Sequence, residues 1–216
     1  MSIATTVAAV LFPAVLWGAY HHYRDRRRPE PVSHSLLALG AGALAGALGQ
    51  ALYTGLHWLG LWRDAYALAE QDLLGLLVYC VLGIGLIEET AKLLPFLAVA
   101  RLVTHFDERV DGIIYAGLVA VGFAIYENVF YLDFATEAEN VARAVTGPLV
   151  HVAFASLWGY PVGVAILERR KLAGPLGLGL GAAVVAHGLY DFGVLGLPAG
   201  LRWLPALVVV AVWLRK

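Results

Sequence analysis

Charge is what this sequence has least of. Charged residues make up 14% of its 216 positions, against about 25% in a soluble domain. What charge there is cancels to a formal −1 at pH 7, so the chain lacks the basic face that nucleic acid requires. Cysteine is almost absent. Cys80 is the only one, which excludes an internal disulfide, and a single thiol in an apolar run reads as packing. Met1–Thr6 carries no Lys or Arg, and the first positive cluster follows the first apolar run instead of preceding it. That order is the reverse of a secretory signal peptide, so the first segment is expected to be a retained helix.

What the chain does have is apolar length. Hydrophobic residues reach 60% and mean hydropathy is +0.74, with runs of about 20 residues recurring from end to end, each long enough to cross a bilayer as a helix. The expected fold is all-α, a polytopic membrane bundle of about seven transmembrane helices forming a single membrane domain over residues 1–216. The segments read as Ile3–Tyr20, His34–Leu61, Leu73–Leu102, Gly112–Phe134, Pro148–Leu167, Gly174–Leu195 and Trp203–Leu214. Gly42 and Gly46, with Gly49 near the same face, predict close helix packing in the second. Trp58 and Trp62 suit a membrane interface. Arg63–Asp72 reads as a short polar connection with an interfacial helical turn, and Thr136–Gly147 as a polar loop. The third segment has 30 residues, more than a perpendicular span needs, which predicts tilt or a kink near Pro95.

Basic residues orient this arrangement. With the Arg24–Arg28 cluster inside, eleven Lys and Arg fall on inner positions (Arg24, Arg26, Arg27, Arg28, Arg101, Arg109, Arg169, Arg170, Lys171, Arg215, Lys216) and three on outer ones (Arg63, Arg143, Arg202). The bias predicts an N-terminus outside and a C-terminus in the cytoplasm of a cell-membrane protein.

Against this background the polar residues inside the spans stand out, because ionisable groups at membrane depth are costly and mark function. The third segment carries Glu88-Glu89-Thr90-Ala91-Lys92, in which Lys92 can reach back to either carboxylate at i−4 or i−3. One lysine leaves one carboxylate over, and that group needs a proton, a metal or another donor. The fourth segment carries Glu127 and Asn128, the fifth His151, and the sixth His187 and Asp191 at i,i+4 spacing. Counted from the inner end of each segment, Glu88, Glu127, His151, His187 and Asp191 lie 13 to 17 residues deep, roughly 20 to 25 Å. They share one layer, nearer the outer face. Carboxylates, imidazoles, an amine and an amide can activate water and stabilise an oxyanion, and they offer an oxygen and nitrogen ligand set for zinc.

The spacings Glu88-Glu89-x-x-Lys92, Phe123-x-x-x-Glu127 and His187-x-x-x-Asp191, with Asp111–Gly117 before Gly122-Phe123 and His151 early in its helix, resemble the PrsW family of intramembrane proteases, distant relatives of the CAAX-processing and bacteriocin-processing membrane proteases. The resemblance spans residues 72–193, which it implies to be the catalytic helical core. It implies cleavage of a membrane-associated protein or peptide substrate, as in site-one cleavage of an anti-sigma factor, within a lipid bilayer and without nucleic acid. On that reading Glu88 or Glu89 is the general base, Lys92 holds the other carboxylate ionised, Asn128 donates to the oxyanion, and Asp191 orients His187 or joins the ligands. The candidate metal ligands are His151, His187 and Glu127, and the expected ion is zinc. A metal-free glutamic-type protease is the near alternative. A proton-coupled transporter or a non-catalytic scaffold would use the same buried groups differently.

Overall fold

A computed structural model describes residues 3–24, 28–134 and 136–214. Met1, Asp25, Arg26, Arg27, Arg215 and Lys216, which enter the readings of the chain ends and of charge above, lie outside the described residues. Among the described residues there are helices and turns and no strand. The helices are α1 (Ile3–Arg24), α2 (Val32–Trp58), α3 (Ala65–Gln71), α4 (Leu73–Val78), α5 (Leu86–Leu102), α6 (Asp111–Tyr131), α7 (Glu137–Leu167), α8 (Ala173–Gly196) and α9 (Leu204–Leu214), with a 3₁₀ turn at Ala199–Leu201. The protein is all-α, multi-pass and integral to the membrane. Among the described residues five stretches are long and apolar enough to cross a bilayer: α2, Leu73–Leu102, α6, α7 and α8. The apolar stretches of the first and last helices, Thr6–Tyr20 and Ala199–Val212, are shorter, so the count of seven rests on those two.

Local chemistry accounts for the element boundaries. Asp64 accepts from the Tyr66 and Ala67 N–H groups and starts α3, and Asp72 accepts from Gly75 N–H and starts α4. These two caps turn the polar connection Arg63–Asp72 into a short helix. The stretch read as a loop over Thr136–Gly147 is helical from Glu137 onward, with Thr136 as its cap. Thr136 Oγ1 accepts from Glu139 N–H at 3.3 Å and Glu139 Oε2 accepts from Thr136 N–H at 2.8 Å, a reciprocal box that launches α7 eleven residues before Pro148. At 31 residues and about 1.5 Å each, α7 outruns a hydrocarbon core of about 30 Å. In the third segment the helix runs on through Pro95. The departure from α geometry lies earlier, in a π-helical stretch at Tyr79–Gly85 between α4 and α5, immediately before the glutamate pair.

Lipid is as apolar as leucine, so these helices associate through close packing and polar contacts rather than hydrophobicity. α6 sits between α2 and α7 and also touches α1 and α5. The predicted glycine contact on α2 is real: a methyl at Gly42 would run into the Val119 carbonyl, and one at Gly122 into the Leu39 carbonyl. The π stretch and α8 meet in the same way. A Cβ at Gly85 would lie 2.6 Å from the Val184 oxygen, and one at Gly188 would lie 2.5 Å from Val81 Cα. At one end of the bundle Arg28 pairs with Asp107 and Glu108, and Arg109 pairs with Glu168. These exposed pairs add little stability. They do set three of the loops expected inside next to one another.

Candidate active site

The polar residues singled out above converge from four helices. α5 supplies Glu88, Glu89 and Lys92, all buried. α6 supplies Glu127, α7 His151, and α8 His187 and Asp191. The glycine seat between α8 and the π stretch places His187 against the glutamates.

The two glutamates differ sharply in their surroundings. Glu89 is saturated. Its Oε1 accepts from Lys92 Nζ at 2.6 Å and from His187 Nδ1 at 2.8 Å, and its Oε2 accepts from the indole N–H of Trp158 at 2.9 Å. Glu88 takes one hydrogen bond among the described residues, from the Tyr53 hydroxyl to Oε1 at 3.0 Å. Its Oε2 is buried without a hydrogen-bond partner among them, 4.0 Å from Lys92 Nζ and 3.6 Å from His187 Nε2. Asp191 Oδ2 is likewise buried and unpartnered, 3.5 Å from His187 Nε2.

Proton bookkeeping follows from these contacts. His187 Nδ1 faces a carboxylate and so donates, which leaves Nε2 with a lone pair when the ring is neutral. That lone pair looks at two orphaned carboxylate oxygens. Acceptors gathered around one point with no donor call for a cation or protons. The donor set suits zinc, which takes nitrogen and carboxylate ligands. Glu88, His151 and His187 each bring a ligand atom within 4.8 Å of the others. His151 is the most committed of the three: Lys92 Nζ lies 3.0 Å from its Nδ1, and its Nε2 lies 2.9 Å from Glu127 Oε2. An ammonium only donates, so Nδ1 accepts and Nε2–H donates to Glu127. His151 can ligate only by releasing one of these.

Glu127 sits one step outside this group, with Oε1 held by Arg143 at 2.8 Å and Oε2 by His151. Glu127 meets the histidine pair through His151, while Glu88 offers an oxygen to the point that both histidines share. Asn128 is buried, with both amide atoms unpartnered among the described residues, against Gly147 on α7, and it makes no hydrogen bond into the network. Aromatic rings close the site. Phe154 stacks on His187 with centroids 4.9 Å apart, and Lys92 Nζ lies 4.6 Å from the Phe123 centroid.

Three further residues contribute to the site: Tyr53, Trp158 and Arg143, the last of which the charge pattern marks only as an outer basic residue. A signal existed for the last two. Arg143, His151 and Trp158 follow one another at intervals of eight and seven residues, which is one face of a helix, once the Thr136–Glu139 box is read as its start.

The profile described as PrsW family intramembrane metalloprotease matches residues 30–214. The chain belongs to the PrsW family. Relatives named Protease PrsW include one from Clostridioides difficile (strain 630), 34% identical over 59% of this chain and 55% of the relative. Another, from Bacillus subtilis (strain 168), is 26% identical over 97% of this chain and 93% of the relative. A third, from Geobacillus kaustophilus, is 27% identical over 97% of this chain and 89% of the relative. No solved structure matches it. PrsW is described as a metalloprotease family, and the site holds a group of side chains able to take a metal.

Proposed function

We propose that this PrsW-family chain is an intramembrane endopeptidase in which Glu88 activates the water and Glu89 organises the site. Its substrate is a membrane-anchored protein cut near the outer face, of which an anti-sigma factor is the case the family resemblance implies. The observation that carries the division of labour is the contrast between the carboxylates: three donors on Glu89, and a buried, unpartnered Oε2 on Glu88 facing His187 Nε2. A carboxylate saturated with donors is a poor base, and one with a bare oxygen beside an imidazole is placed to take a proton.

In the reaction Glu88 Oε2 accepts a proton from water as the water oxygen bonds to the scissile carbonyl carbon. The carbonyl oxygen carries the negative charge, next to Lys92 and the imidazoles. The C–N bond then breaks, and the leaving amine takes the proton back from Glu88. Glu89 holds the His187 ring and the Lys92 ammonium in place throughout, with Trp158 fixing its far oxygen. His187 would hold a zinc ion together with His151 or Asp191, and the ion would supply Lewis-acid polarisation of the water and the carbonyl. One observation favours the metal-free reading instead: both nitrogens of His151 are already engaged.

The test is Glu88→Gln in the full chain in detergent or proteoliposomes, assayed on a single-pass reporter with an unstructured stretch at the outer membrane boundary. Cleavage should fall about 10²- to 10⁴-fold, with thermal stability and bound metal retained. Wild-type cleavage by this variant refutes Glu88 as base. Loss of metal along with activity makes Glu88 a ligand. Elemental analysis of wild-type protein purified without chelator separates the zinc and metal-free readings.

A further inference from the structure

The proposed core begins after α2, yet α2 reaches Glu88. Along α2 the residues Gly42, Gly46, Gly49 and Tyr53 recur at intervals of four, three and four, so they share one face. The first three let the backbone close on its neighbours: a Cβ at Gly46 would meet the Tyr126 ring at 2.7 Å, and one at Gly49 would touch Phe123 at 3.5 Å. One turn beyond the glycines the same face carries a large side chain. Its hydroxyl donates to Glu88 Oε1 at 3.0 Å, the only hydrogen bond found on Glu88 among the described residues. The ring is held from the other side. Trp62 packs edge-on against Tyr53 with centroids 6.1 Å apart, and against Tyr79 of the π stretch at 5.9 Å.

We infer that Tyr53 is a positioning residue for the reaction: its hydroxyl fixes the Glu88 carboxylate so that Oε2, the bare oxygen, points at His187 Nε2. The inference rests on the reading of Glu88 as the base. A carboxylate on a flexible side chain, with one oxygen otherwise unheld, rotates about its last torsion, and a hydrogen bond to one oxygen aims the other. The Gly42–Gly46–Gly49 stripe gives α2 a specific task, because it brings the helix close enough for a tyrosine to span the gap to α5.

Tyr53→Phe removes one oxygen and keeps the ring against Trp62. The test has two readouts on the full chain in detergent. The first is a thermal double-mutant cycle with Glu88→Gln. Tyr53→Phe should lower Tm more in the wild-type background than in the Glu88→Gln background, because it leaves a buried ionised oxygen bare only in the former. The second is cleavage of the single-pass reporter. kcat should fall about 10- to 100-fold, the cost of misplacing a reacting group, with KM unchanged, and Tyr53→His, which retains an N–H donor, should recover part of it. Equal Tm costs in both backgrounds overturn the inference. So does an unchanged kcat, or a Tyr53→His variant as impaired as Tyr53→Phe, which would reduce the effect to packing. Should the wild type fail to cut the reporter, the protease reading of the site falls, and the thermal cycle still decides whether Tyr53 holds Glu88.

Discussion

At the scale of single residues, Lys92 carries the heaviest electrostatic duty. It is fully buried, and its ammonium serves Glu89 at 2.6 Å, His151 at 3.0 Å and Glu88 at 4.0 Å. Replacing it with Met should destabilise the protein by about 3–5 kcal/mol, since buried carboxylates lose their counter-charge. Thermal unfolding in detergent reads this directly, and a Tm within a degree of wild type would show that the carboxylates find another partner. The polar residues of this centre are legible in the sequence because each interrupts an apolar run, and counting residues from the inner end of each segment puts Glu88, Glu127, His151 and His187 in one layer. Which glutamate keeps a bare oxygen was not legible. The donors that saturate Glu89, among them Trp158, come from other helices, and a buried tryptophan in an apolar run looks like packing until its N–H is seen to have a target. Tyr53 was hidden for the same reason.

At the scale of elements, α7 shows how a cap changes a site. The polar composition of 136–147, ending in Gly147-Pro148, reads as a loop, because glycine and proline are the usual punctuation. The Thr136–Glu139 box outweighs them, and Pro148 lies within the helix. The extra turns put Arg143 over Glu127, where it also lies 4.0 Å from the Tyr131 ring centroid. Thr136→Ala should cost about 1 kcal/mol and fray the first turns. Hydrogen exchange over 137–147 should accelerate while the span around His151 stays protected. Unchanged exchange would mean that the Arg143–Glu127 pair, and not the cap, holds this end of α7.

At the scale of the whole molecule, the bias of basic residues predicts an outer N-terminus and a cytoplasmic C-terminus, and the ion pairs that gather the loops around Arg28, Arg109 and Glu168 fit one shared inner side. The single native cysteine makes this simple to check, since Cys80 is buried and should stay silent towards polar maleimides. In intact cells Arg63→Cys and Arg202→Cys should be labelled by a membrane-impermeant reagent, and Arg109→Cys and Lys171→Cys only after permeabilisation. The opposite pattern inverts the topology and places the cleavage layer nearer the cytoplasm.

The seat of Gly85 against α8 and of Gly188 against Val81 has a mechanical consequence. The gap between the Glu88 and His187 backbones is set by main chain pressed on main chain, with only the β-branched Val81 side chain, stiff at its first torsion, beside the contact. Such a joint has little play, so a thicker or thinner bilayer should tilt α5 and α8 as one body and leave the distance between their reacting groups unaltered. Turnover in vesicles of increasing acyl-chain length should then follow how deep the substrate's cut site sits, and the enzyme's own geometry should behave as a fixed gauge.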